Sequence, residues 1–139
     1  MERPHPAELY HYTCDHGQAH LGDSGELLSG WDQVNAKRRR ILPPTARFIW
    51  MTDMVRPLIN PLGLTRQFIT CDRTAHRYRV LDRTKVMWWC DVRRHVPAEW
   101  RDLLETSEGA RPAHWFVSLD PVPVAYDPIR HPYIYTTLT

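Results

Sequence analysis

Lysine is almost missing from this chain: of 18 basic residues only Lys37 and Lys85 are lysines and the rest are arginine. Such a surface is poor in flexible ammonium groups and rich in planar guanidinium forks, which match carboxylate and phosphate oxygens two at a time. The same bias fits coding in a G+C-rich genome and predicts an actinobacterial protein or one from a virus of such a host. Long apolar runs are also lacking. No stretch approaches the ~20 residues that span a bilayer, and the first residues, MERPHPAEL, have no charged-then-apolar leader pattern, so the expected location is cytoplasmic with no membrane contact. Cysteine is scarce, and Cys14, Cys71 and Cys90 are odd in number and widely spaced, which argues against a disulfide framework. A large charge excess is lacking too. The net charge of +2 does not suit a protein devoted to coating nucleic acid.

What is present is one domain's worth of core. The 139 residues suffice to bury roughly two-thirds of the unfolded surface in a single unit, and 6 Trp with 6 Tyr supply large apolar bodies with polar tips. Residues 1–7, with Pro4 and Pro6, predict a loose lead-in. Leu9–Cys14 predicts a strand, with Leu9, His11 and Thr13 on one face and Tyr10, Tyr12 and Cys14 on the other. Asp15 then caps a short helix to about Leu21, ended by Gly22. Residues 22–46 predict a long loop, which in a compact domain is usually functional or mobile.

Arg47–Thr52 suits a buried strand, and Met54–Ile59 a helical turn broken by Pro57 and Pro61. Phe68–Cys71 and Arg77–Leu81 predict strands about a polar turn, and Val86–Val92 another. Helical spacing follows Pro97, with Trp100, Leu103 and Leu104 on one side, until Gly109 and Pro112 stop it. His114–Leu119 is a strand. PVPVAYDP is expected to be extended at an edge or on the surface, and IYTTLT to add a last short strand. The sum is an α+β fold: a compact mixed, mostly antiparallel sheet with two or three short helices.

Two segments carry the functional signal. In LYHYTC, residues 9–14, a mid-strand histidine flanked by Tyr10, Tyr12 and Thr13 offers an aromatic surface for a planar ring and a partner for a sugar hydroxyl. A buried histidine satisfied by a backbone carbonyl is the plainer alternative. In FIWMTD, residues 48–53, an apolar strand ends in Trp50, Thr52 and Asp53. His-x-Thr on a first strand, a helix and glycine-bearing loop, then aromatic-x-Thr ending a second strand resembles the opening half of the ADP-ribosyltransferase fold, most closely the small rifampicin-modifying and DNA-targeting ADP-ribosyltransferases.

The resemblance covers about residues 9–53. It implies that His11 orients the nicotinamide ribose with Thr13 beside it, that Trp50 and Tyr12 pack on nicotinamide with Thr52 behind, and that NAD is the substrate. Tyr12 replaces the usual glycine of His-Gly-Thr, and Trp50 the usual tyrosine. Cleaving a glycosidic C–N bond also requires a carboxylate near the developing oxocarbenium charge. Asp53, Asp72, Glu105, Glu108 and Asp120 are the candidates, with Asp120, after the strand HWFVSL, placed first; for each, a solvated surface acid is the alternative.

Arg73, His76, Arg77 and Arg79 cluster around a turn, suited to a pyrophosphate or nucleic-acid backbone, or else to pairing with Asp72 and Asp82. Cys14, His16 and His20 lie close together, with His16 and His20 at i, i+4, but lack a Cys-x-x-Cys pair or the His-Glu-x-x-His glutamate, so no metal is expected; Cys14 and Cys90 have only His11 and His95 as conceivable nucleophile partners. Two functions follow. One is an ADP-ribosyltransferase-like domain that binds NAD and passes ADP-ribose to a protein, nucleic-acid or small acceptor, Arg73 or Arg77 gripping phosphate. The other is a non-enzymatic regulatory or virus-encoded protein that binds a host protein or nucleic acid through the Lys37–Arg40 run and exposed aromatics.

Overall fold

The computed structural model describes residues 6–22, 24–33, 35–42, 44–56, 74–106 and 109–128. Its centre is a seven-stranded sheet in the order β2-β7-β4-β1-β3-β6-β5, with every neighbouring pair antiparallel. The strands are β1 (Tyr10–Thr13), β2 (Ser24–Leu27), β3 (Ile49–Thr52), β4 (His76–Val80), β5 (Met87–Trp88), β6 (Trp115–Ser118) and β7 (Val122–Tyr126). Among the described residues four short α-helices accompany them: α1 (Asp15–Leu21), α2 (Ala36–Arg39), α3 (Trp89–Val92) and α4 (Ala98–Glu105). Among the described residues no helix is long and apolar enough to cross a membrane.

Aromatic and β-branched residues build the sheet, and period-two alternation sends them to two cores. Ile49 and Met51 of β3 and Phe116 of β6 join Leu9, Tyr78 and Val124 in one cluster. Trp115 and Val117 of β6 join Trp89 and Val96 in the other, where Trp50, Trp100 and Leu104 pack. Both faces of β6 are therefore buried.

Several expectations need correcting. The 22–46 stretch is not all loop: Ser24–Leu27 forms edge strand β2, paired along its length with β7, and Ala36–Arg39 forms α2. Val86–Val92 splits into strand Met87–Trp88 and helix Trp89–Val92, since a short apolar run satisfies either geometry until packing decides. PVPVAYDP is not at an edge, because β7 lies between β2 and β4. Pro123 is tolerated there because its carbonyl takes the N–H of Leu81, one residue past the end of β4, so its missing donor points beyond the ladder. Leu103 is 66% exposed while Trp100 and Leu104 pack inward. Met54–Arg56 forms no helical turn; the remainder of that segment, Phe68–Cys71 and the tail lie outside the described residues.

Asp15 opens α1 without capping it: Cys14 is the cap residue and makes no side-chain cap bond. The Asp15 carboxylate instead meets His76 Nε2 at 2.5 Å, and His76 Nδ1 lies 3.0 Å from the Tyr126 hydroxyl. Nε2 facing a carboxylate must donate, so in the neutral ring Nδ1 accepts from Tyr126, a chain that ties α1, β4 and β7 together. Gly22 closes α1 at φ +67°, a conformation that side chains resist.

A candidate nucleotide cleft between β1 and β3

The sheet is weakly joined at its middle. β1 and β3 share one registered pair, Tyr10 opposite Thr52, whereas β1 and β4 share four. Beyond Tyr10 the two strands part, and a cavity of about 790 Å³ is lined by both strands, by Gly17 and Leu21 of α1, and by the Glu26–Leu28 segment at β2. That volume lies within the range of small-molecule sites.

His11 sits at the parting. Its Nδ1 is 2.7 Å from the carbonyl of Trp50, a residue 39 positions away. A carbonyl only accepts, so Nδ1 carries the proton, which fixes the ring's orientation and makes Nε2 the acceptor of the neutral form. The carbonyl partner foreseen as the plainer reading is thus present, and the ring still lines the cavity. Thr13 follows in the lining and is pressed by α1: a Cβ on Gly17 would lie 1.9 Å from Thr13 Oγ1. Only glycine lets this helix approach so closely.

Trp50 lines the cavity with a half-buried indole. The ring belongs to an aromatic cluster, its centre 5.1 Å from Trp89 and 5.9 Å from both Phe48 and Trp115, and its Nε1 donates to the Thr45 carbonyl at 3.2 Å. Tyr12 is buried, with its hydroxyl between the carbonyls of Met54 at 2.6 Å and Val55 at 2.8 Å. Burial pushes its pKa up to about 12, against the lowering influence of Arg77. Thr52 is buried, and its Oγ1 accepts the Met54 N–H at 3.1 Å, fixing the turn that leaves β3.

His11, Tyr12, Thr13, Trp50 and Thr52 therefore meet at one cavity, while two other expected site residues stand apart from its lining. Asp120 is exposed in the β6–β7 turn, where its N–H and carbonyl both bond Ser118 Oγ. Arg77 pairs with Asp127 at 3.1 Å, donates to the Val55 carbonyl and lies 4.8 Å from the Tyr10 ring centre. Arg73, Asp72 and Glu108 lie outside the described residues.

The remaining acids have other partners. Glu105 takes both Nε and Nη2 of Arg93 at 2.7 and 2.6 Å and Nε1 of buried Trp89 at 2.7 Å. The Arg93 hydrogen bonds hold its carboxyl below the usual carboxylate range. Asp53 meets His114 Nδ1 at 2.7 Å.

Sequence reasoning missed Glu26, the one acidic residue in the cavity lining among the described residues. Its position on a strand facing Pro123 was hidden inside a stretch that looked like loop. No group of three or more His, Cys, Asp or Glu side chains suited to a metal occurs among the described residues, and the side chains of His16 and His20 lie outside them. No protein-family model, no curated protein and no solved structure matches the chain.

Proposed function

We propose that the chain is a nucleotide-binding domain of the ADP-ribosyltransferase type, with the corresponding fold, that takes NAD into the β1–β3 cleft and transfers ADP-ribose to an acceptor. The observation that carries this reading is the His11 bond to the Trp50 carbonyl, which holds at the cavity wall the ring that the sequence resemblance assigns to the ribose. Trp50 and Tyr12 form the wall on which nicotinamide packs, with Thr13 and Thr52 behind. Glu26 takes the part first given to Asp120. As the C1′–N bond breaks, nicotinamide leaves with the electron pair, and the carboxylate stabilises the positive ribose until an acceptor nucleophile attacks C1′ and loses its proton.

Thermal unfolding with and without NAD, ADP-ribose and nicotinamide tests the reading. Ligand at 100 times its Kd stabilises the fold by about 2.7 kcal/mol, several degrees for a domain of this size. The shift is expected to vanish in His11→Ala and to persist in Glu26→Gln, whose defect is in transfer. Absence of any shift at millimolar ligand rejects the reading. A second reading, a non-enzymatic binder of nucleic acid or a host protein, is favoured by the exposed side chains of Lys37, Arg38 and Arg40, which make no ion pair among the described residues. It requires salt-dependent binding that is lost in Arg38→Gln/Arg40→Gln.

A further inference from the structure

The cavity presents a charge problem for its proposed ligand. Among the described residues its lining contains no lysine or arginine and one carboxylate, Glu26, so none of these side chains supplies a counter-charge for the phosphates of a nucleotide. Cations lie close to the lining in the chain. Gly30 and Phe48 line the cavity, and their chain neighbours are Trp31 and Arg47. The Trp31 N–H donates to the Ala46 carbonyl at 3.0 Å, which ties these two segments together.

Two guanidinium groups converge on the Trp31 indole, Arg47 with its central carbon 4.2 Å from the ring centre and Arg39 at 5.5 Å. Arg39 is further fixed by its Nε bond to the Trp31 carbonyl at 2.8 Å. Among the described residues no carboxylate pairs with either arginine. Stacking on an indole leaves the N–H edges of a guanidinium free to bind oxyanions two at a time, and an anion shared by both groups relieves the repulsion between them.

We propose that Arg39 and Arg47, held on Trp31, form a phosphate subsite at the rim of the cleft, taking the pyrophosphate of a dinucleotide whose nicotinamide end occupies the cavity. This rests on the nucleotide reading given above and moves phosphate recognition from the Arg73–Arg77 turn to the α2 side of the cleft.

Inorganic pyrophosphate, titrated calorimetrically at low and high salt, probes the subsite without the rest of the ligand. It is expected to bind the wild-type chain, more weakly as salt rises. Arg39→Gln/Arg47→Gln is expected to lose at least about tenfold in affinity for both pyrophosphate and ADP-ribose. Arg47→Gln alone alters an exposed side chain and is expected to lose several-fold with the unliganded Tm unchanged, so the test survives if the double variant fails to fold. His11→Ala is expected to keep pyrophosphate binding while weakening ADP-ribose, whose ribose the ring orients, and that result separates this subsite from the cavity. No pyrophosphate binding by the wild type, or equal binding by the arginine variants, overturns the subsite whatever becomes of the cavity. Pyrophosphate binding that needs Arg39 and Arg47 in a chain indifferent to ADP-ribose and nicotinamide keeps the subsite and rejects the nucleotide reading. Single-stranded DNA binding that falls equally with Arg38, Arg39, Arg40 and Arg47 substitutions, with ADP-ribose affinity untouched, overturns it in favour of a nucleic-acid surface.

Discussion

Tyr12 shows how one side chain joins stability to the site. Its ring is buried beside the cleft, and its single proton is shared by the carbonyls of Met54 and Val55, which hold the chain leaving β3 against β1. Because burial favours the neutral phenol, the folded pKa of about 12 lies above the unfolded value near 10. Below about pH 10 both states keep the proton and the contribution is whole; between about 10 and 12 the unfolded state ionises first and stability falls. Tyr12→Phe is expected to cost about 1 kcal/mol near neutrality and to remove part of the alkaline loss, read from denaturant midpoints across that window. A Tyr12 phenol ionising in the native state near pH 10, seen as tyrosinate absorbance missing from Tyr12→Phe, contradicts the burial argument. That His11, Thr13 and Trp50 share a cavity lining was legible from their places at the polar–aromatic ends of two strands. Glu26 was not, since one acid between glycine and leucine has no local signature.

At the scale of elements, the α1–β1 contact is the tightest constraint near the cleft. Gly17→Ala drives a Cβ to 1.9 Å from Thr13 Oγ1, so α1 must shift or Thr13 must turn. The expected loss is about 1–3 kcal/mol, as for other overpacked positions, together with weaker ligand binding. Thr13→Ala restores only part of the stability, because the Thr13 Cβ itself would stand 3.0 Å away. Equal stability of Gly17→Ala and wild type in urea unfolding contradicts the packing. Elements with strong local chemistry were readable: β1, β3, β4 and β6 from aromatic and β-branched residues, α1 from its Gly22 stop, and α4 from its spacing after Pro97. β2 was not, because SGEL has poor strand propensity and is fixed by pairing with β7. The helix at Trp89–Val92 was hidden in the same way, decided by the packing of Trp89 against Trp115 and Glu105.

For the whole molecule, the parting of β1 from β3 creates the function proposed here. The class of fold followed from the run of short strands and helices, but the strand order did not, and neither did the weak central seam, since both depend on pairings between residues distant in sequence. The most direct measurement is an amide ¹⁵N correlation spectrum recorded as NAD is added to the labelled chain. Perturbations are expected at Tyr10–Thr13, Gly17, Glu26–Leu28 and Trp50–Thr52, and at Trp31, Arg39 and Arg47 where the pyrophosphate sits, and not at Asp82–Lys85 or the β6–β7 turn. Unchanged spectra at millimolar NAD, or changes centred away from the β1–β3 cleft, would contradict the account.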